Sequence, residues 1–542
     1  MISQFSYGYD AEGQITSWQQ NNSGFVAASS GSNSFGLNYD AASQLNWATL
    51  TGPGGSVTSY SYGFDKAGNR TQEQINSTTT TSSYNGLNQL LGQSAGGLTQ
   101  FRGTLSKWAT VTVGGNPATV SGTGPTYQFE GAANLPAATT STVQIVATAT
   151  SGVSGTNNYQ VVVAGGSGPT MSYDADGEMT SNGAGQHYQW DAANRLAQIW
   201  YGPIGNSPST TFTYNGLGQR VAIIENDASG NTITKQFVWC PADAQPSEER
   251  DGSNIRRFYP QGEQINGANY FFTRDHLGSV REMMDSTGSA EGLQVRYNYD
   301  LWGRETKMYG ANDTLDADFD YAGYYQHQPS GLNLTMFRAY NPNLARWISR
   351  DPIAERGGIN LYGYVFNNPI SLIDPLGLST ITVNGTPHQV NNGTDLANMF
   401  NSIRAGGTPI TNFVYDGHGD EQGEMILNDS GEYLPSQAWQ NLLRENQDLF
   451  NPDAKGLFNA CSSASGGGSM AQDFKDVLQS SDTWGYNGYY SPFLNMGIGN
   501  SGFVQFAQTL GSYVGGEGPD SSYPAHSSLT PVLGFRGGPS LR

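Results

Sequence analysis

Alternation dominates the first 330 residues. Short runs in which aromatic or branched residues alternate with polar ones are separated by Asp, Asn and Gly, the pattern of half-buried strands joined by tight turns. One phrase recurs: YGYDAEGQITSW from Tyr7, LNYDAASQLNWA from Leu37, YGFDKAGNRTQE from Tyr62 and SYNGLNQLLGQ from Ser83. It returns as MSYDADGEMTSN from Met171, YQWDAANRLAQI from Tyr188, FTYNGLGQRVAI from Phe212 and, degenerately, YNYDLWGRETKM from Tyr297. In each, an aromatic residue precedes Asp or Asn, then a Gly or Asn turn, then an alternating strand. Asp or Asn bonds its own backbone, Gly supplies positive φ, and the aromatics stack on neighbouring strands. Turn formation explains these acids better than metal or sugar binding.

The pattern divides the chain. Residues 1–98 and 169–264 carry the repeats. Residues 99–168 lack the phrase and hold strongly alternating Val-, Ala- and Thr-rich strands, TVQIVATAT and NYQVVVAG. They predict an inserted Ig-like β-sandwich, a spacer rather than a carbohydrate binder for want of an aromatic platform. Residues 265–378 stay strand-rich and form a distinct core block. Within it Asp275 and His276, in DHLGS, read as a turn between two strands rather than an acid/base pair. Residues 379–542 change to longer hydrophobic blocks and helix-like stretches.

Composition narrows the function classes. The 542-residue chain has 71 Gly and 30 Tyr, 25 Lys+Arg against 45 Asp+Glu, and a formal charge of -20. That length predicts two or three cores, and the charge argues against a nucleic-acid partner, whose phosphates need clustered cations. Cys240 and Cys461 fall in different blocks, so neither a disulfide framework nor a metal cluster is expected; Cys240 reads as packing. No cofactor is expected. The N-terminus lacks a signal-peptide pattern and no apolar run spans a bilayer, so any export requires a dedicated machine or lysis.

From Gly331 the sequence reads GLNLTMFRAYNPNLARWISRDPIAERGGINLYGYVFNNPISLIDPLGL, ending at Leu378. The phrases FRAYNPNLARWISRDPI, NLYGYVFNNP and DPLGL, with the repeats before them, resemble the RHS family of YD-repeat proteins and its repeat-associated core. Asn341 stands where the family usually has Asp, and Ala345 where it has Gly. The resemblance implies a hollow β-shell of bacterial origin and aspartyl self-cleavage between Leu378 and Ser379. Asp351 and Asp374 would be the carboxylate pair, and Arg338 would orient one of them by a bidentate bond. Two carboxylates brought together do not both ionise cheaply. The protonated one would polarise the scissile carbonyl and the ionised one would activate water.

A shell enclosing a 164-residue cargo at a radius of about 25 Å needs on the order of 500 strand residues, from about 16 Å² covered per residue. Residues 1–102 and 169–378 supply 312. A partial shell is therefore expected, either the C-terminal part of a longer one or a half enclosure.

After Leu378, NFVYDGHGDEQG and KGLFNACSSASGG each read as a strand, the first ending at His418-Gly419 and the second at Ala460-Cys461. Helix-like LPSQAWQNLLREN lies between them and SMAQDFKDVLQ follows, predicting a parallel sheet flanked by helices. Strands ending in His-Gly and Ala-Cys resemble the caspase-like cysteine peptidases that include gingipains, separases and clostripain. That resemblance implies Cys461 as nucleophile and His418 as the proton donor to the leaving amine, with the Gly419 and Cys461 amides holding the oxyanion. His388 and His526 have no motif and read as surface or loop residues.

The expected protein is mainly β: a partial YD-repeat shell with its insert, then a C-terminal α/β caspase-like domain. The resemblance implies a polymorphic toxin made in the bacterial cytoplasm and delivered by a secretion system. It also implies protein substrates and a cognate immunity protein. An effector of another enzyme class and a non-enzymatic surface adhesin are the competing readings. The low basic content speaks against a nuclease effector.

Overall fold

The computed structural model describes residues 3–10, 14–22, 31–165, 167–206, 208–239, 245–287, 292–309, 315–352, 359–374 and 377. Beyond these it describes 380–383, 386–388, 396, 399–400, 403–404, 409–416, 418–419, 425–426, 433–434, 436–459, 470–478, 483–486, 489–491, 496–498, 503–506 and 513–514. Cys240, Cys461, His526 and the Leu378–Ser379 bond lie outside the described residues. The chain forms two compact units: 1–10, 15–40 and 45–187, then 11–14, 41–44 and 188–542.

The first unit holds a nine-stranded antiparallel sheet. Eight strands, from Ser3–Tyr9 to Leu90–Ala95, pair in chain order, and Ser167–Thr170 pairs with the last. Between them a six-stranded sheet runs from Gly97–Leu105 to Ser154–Val162 around Val111, Val113, Phe129, Leu135, Val143 and Ile145. On it Trp108, 47% exposed, stands edge-on to Tyr127 with ring centroids 5.6 Å apart. The sequence shows no sign of this aromatic pair, because Trp108, just before the strand Ala109–Val113, and Tyr127, which opens the strand Tyr127–Leu135, are far apart along the chain.

The repeat phrase builds one local device throughout. The side-chain oxygen of its Asp or Asn accepts the N–H groups two and four residues on. It does so at Asp65 (2.9 and 2.9 Å), Asn85 (2.9 and 3.0 Å), Asp191 (2.9 and 3.0 Å), Asn215 (2.9 and 3.0 Å) and Asp300 (2.9 and 2.9 Å). Asp275 does the same at 3.0 Å to both Leu277 and Ser279, so DHLGS is another copy of the turn. The phrase tyrosine then donates to the carbonyl five residues past the acid of an earlier turn: Tyr39 to Ile15, Tyr84 to Arg70, Tyr214 to Leu196, and Tyr299 to Val280, each within 3.0 Å. One phrase therefore closes its own hairpin and bolts it to another.

In the second unit eleven strands, from Leu196–Trp200 to Glu305–Tyr309, form a continuous antiparallel meander. A four-stranded sheet of Tyr325–His327, Leu332–Leu334, Ala339–Asn341 and Arg346–Trp347 is tied to it by polar side chains. Arg256 meets Asp318 at 2.9 Å, His327 meets Glu225 at 3.0 Å, and the Tyr325 hydroxyl donates to Glu249 at 3.1 Å. Burial pushes the Glu249 carboxyl up to about 7, and Asp318 adds to the shift, while Lys235, 3.4 Å away, opposes it. Deeper, Asp320 is fully buried, and its Oδ2 and the Glu305 Oε1 have no hydrogen-bond partner among the described residues. Burial raises both groups.

A carboxyl raised on folding stabilises the fold below its ordinary value near 4.5, and that contribution is lost as pH climbs through its folded value. For Glu249 the window is about pH 4.5 to 7. The melting temperature is expected to be higher at pH 5.5 than at pH 8, with Glu249→Gln flattening the difference. An identical slope in that variant would assign the dependence elsewhere.

The C-terminal sheet runs in the order Thr386–His388, Thr380–Val383, Ile410–Asp416, Phe450–Asn459, Thr483–Tyr486, Phe503–Phe506 and Tyr513–Val514. The predicted parallel sheet is corrected to a mixed one. Among the described strands, Ile410–Asp416, Phe450–Asn459 and Thr483–Tyr486 are parallel neighbours, and the helices Ser436–Glu445 and Met470–Leu478 lie in the connections between them. Two residues separate Val383 from Thr386, which permits only a hairpin. His388 therefore ends a strand instead of lying in a loop. Helices Ser436–Glu445 and Met470–Leu478 arise where the helix-like stretches predicted them. Leu396, Phe400, Phe413, Trp439, Phe450 and Phe474 form the buried core beneath them. No helix among the described residues is long and apolar enough to cross a membrane.

Candidate active site

The site grows from the turn between Leu332–Leu334 and Ala339–Asn341. Thr335 closes it: its N–H and hydroxyl donate to the Arg338 carbonyl at 3.0 and 2.9 Å, and its oxygen accepts the Arg338 N–H at 3.1 Å. Arg220 holds the Thr335 carbonyl at 2.9 Å. The turn aims Arg338 inward, its guanidinium carbon 4.4 Å from the Trp347 ring centroid, where cation–π attraction offsets part of the lost hydration.

Arg338 meets both predicted acids. Nη1 lies 3.1 Å from Asp351 Oδ2 and Nη2 lies 3.0 Å from Asp374 Oδ2. All three residues are buried, at 5, 8 and 7% exposure. The expected bidentate grip on one carboxylate is corrected: each arm takes a different acid. The guanidinium thus gathers two carboxylates that the chain delivers from separate loops. Asp351 is fixed by its N–H to the Leu361 carbonyl at 2.8 Å.

Asp374 is held through its main chain. Its N–H donates to the Tyr324 oxygen at 3.1 Å, and its carbonyl accepts the Tyr324 hydroxyl at 2.9 Å and the Gly377 N–H at 3.1 Å. Tyr364 lies 3.0 Å behind Tyr324, and burial raises both phenols. Gly377 has φ +87°, and a Cβ there would stand 3.1 Å from Arg338 Nε and 3.2 Å from Thr335 Oγ1. Glycine is the residue that permits this close approach. Arg338 Nε is buried and has no hydrogen-bond partner among the described residues.

The two departures from the motif have structural readings. Asn341 accepts the N–H groups of Asn343 and Leu344 at 3.0 and 3.1 Å, the turn bonds an Asp would make. Ala345 sits at φ +55°, where glycine is favoured and alanine costs roughly 1–2 kcal/mol. Val365, Phe366 and Asn367 follow one another at φ 41°, 52° and 61°, so the loop before Asp374 carries strain as well.

Asp275 and His276 stand apart from this chemistry. Asp275 pairs with Arg281 at 2.7 Å; His276 Nε2 lies 2.7 Å from the Ile370 carbonyl, and burial lowers its pKa. A neutral ring donating to that carbonyl anchors the loop that leads to Asp374. Sequence reasoning missed Tyr324 and Thr335. In a chain with 30 Tyr, neither had a spacing to mark it.

The Teneurin YD-shell family model matches residues 260–370, a span that includes Arg338 and Asp351. The tRNA3(Ser)-specific nuclease WapA of Bacillus spizizenii is 30% identical over 220 residues, 38% of this chain and 9% of WapA. Residues 260–370 are thus similar to a YD-shell, and a 220-residue stretch of the chain is similar to WapA. The double-stranded DNA deaminase toxin A of Burkholderia cenocepacia is 26% identical over 313 residues, 48% of this chain and 22% of that toxin. The chain thus spans less than a quarter of the length of either relative. A solved Tc holotoxin pore of Photorhabdus luminescens aligns with 70% of this chain and 19% of its own, at 16% identity and a TM-score of 0.33.

In the C-terminal part of the chain, His418 and Gly419 form a two-residue strand paired with Met425–Ile426, in a small sheet separate from the mixed one. The strand read as ending at Ala460-Cys461 is described over Phe450–Asn459, and Ala460 and Cys461 lie outside the described residues.

Proposed function

We propose that this chain is the shell and self-cleaving core of a polymorphic bacterial toxin, cutting itself between Leu378 and Ser379 to detach residues 379–542. The observation that carries this reading is one buried guanidinium shared by Asp351 and Asp374, four residues before the cut. Two acids on one cation favour a state in which one carboxyl keeps its proton and the other is ionised. The ionised carboxylate takes a proton from water as the water oxygen bonds to the Leu378 carbonyl carbon. The protonated carboxyl donates to the carbonyl oxygen. Collapse of the tetrahedral adduct breaks the C–N bond: one hydroxyl of the adduct returns its proton to the carboxylate that had protonated the carbonyl oxygen, and the proton taken from water passes to the leaving Ser379 nitrogen. Intact-mass measurement of the purified protein tests this. Fragments 1–378 and 379–542 are expected, and a persistent single 58.1 kDa species would overturn the reading.

For the released segment the caspase-like cysteine peptidase remains the reading, with protein substrates and a cognate immunity protein as its partners and a secretion system as its route. It is favoured by the parallel register that pairs Asp416 with Asn459 at the ends of neighbouring strands. In sequence, His418 and Cys461 each follow two residues after these strand ends. Growth arrest on producing the full chain is expected to disappear with Cys461→Ala. Arrest that persists in that variant would hand the effector role to another chemistry.

A further inference from the structure

We infer that Tyr324 is a positioning residue for the self-cleavage, holding the Asp374 peptide in the cutting geometry through its hydroxyl. This deepens the self-cleavage reading and rests on it. Tyr324 makes two hydrogen bonds to one residue, donating to the Asp374 carbonyl at 2.9 Å and accepting from its N–H at 3.1 Å. With its only proton on that carbonyl, the contact at 3.0 Å to Tyr364 requires Tyr364 to be the donor. The hydroxyl is thus fully committed, at a position 2% exposed.

Its bonds fall on the main chain of Asp374, whose side chain meets Arg338 at 3.0 Å and whose carbonyl also accepts from Gly377. A shift of this peptide therefore moves the acid and the approach to the scissile bond together. Tyr324 is itself held. The turn before it begins at Asp320, fully buried, and passes Ala322 at φ 53°. Around it pack Tyr321 at 6.1 Å, Trp347 at 6.4 Å and Tyr364 at 6.5 Å between ring centroids. A ring fixed on several sides and a hydroxyl spent on one peptide suit a residue that sets position without exchanging protons with the substrate.

The test follows the rate at which newly made full-length chain converts to fragments in cell-free synthesis, for the wild type, Tyr324→Phe and Tyr364→Phe. Tyr324→Phe is expected to slow cutting by about 10–100-fold, as a misplacement near 1 Å does. The factor is expected to be the same at every pH, because the lost hydroxyl titrates nothing in the reaction. Tyr364→Phe, which leaves both bonds to Asp374 in place, is expected to slow it less than threefold. Wild-type speed in Tyr324→Phe, equal slowing in both variants, or a displaced pH profile in Tyr324→Phe would overturn the inference. Should Tyr324→Phe lose the fold, Tyr364→Phe decides: slowing of tenfold or more there overturns it. A wild-type chain that never cuts defeats the self-cleavage reading itself.

Discussion

Asp374→Asn is expected to leave the chain whole, as one 58.1 kDa species where the wild type gives fragments of residues 1–378 and 379–542. The substitution suits the question because it changes chemistry and little else. The amide oxygen still accepts from Arg338 Nη2, and the main-chain bonds to Tyr324 and Gly377 do not involve the side chain. What disappears is the group that gives or takes a proton, a loss typically of about 10²–10⁴ in rate. Because both acids sit on the same guanidinium, Asp351→Asn is expected to act alike. Intact mass reads both variants, and cutting at the wild-type extent in either would remove that acid from the mechanism.

Arg338→Ala is expected to abolish cutting and also to destabilise the core. The substitution leaves two acids, each less than a tenth exposed, without the cation they share. Breaking a buried ion pair from one side costs about 3–5 kcal/mol, and here one truncation strands two acids. Protonation of one carboxyl limits the loss and makes it smaller at low pH. Arg338→Lys separates the two effects. An ammonium restores a positive charge as a single point, without the planar two-armed fork that spans Asp351 and Asp374. It is expected to recover part of the melting temperature and little of the cutting. A lysine variant that cuts at the wild-type rate would show that the two-armed bridge is dispensable.

The repeat phrases were legible because their chemistry is local. An Asp or Asn that bonds N–H groups two and four residues ahead needs only its own hairpin, as at Asp65 and Asp300, so composition and spacing reveal it. The same logic made DHLGS a turn. The acids of the site were reachable only through resemblance to a known motif. Arg338 and Asp374 stand 36 residues apart, and no periodicity relates them.

Local sequence therefore settled the alternating strands, the turns, the helices around Trp439 and Phe474, and the break in character near Leu378. Folding in three dimensions settled how Arg338 divides its arms, that Tyr324 grips the Asp374 peptide, and that the C-terminal sheet is mixed. It also set Asp416 beside Asn459. The reason is range. A turn is selected by the conformations of four or five neighbouring residues, whereas a shared guanidinium depends on loop closures whose energies are spread over a whole packed core.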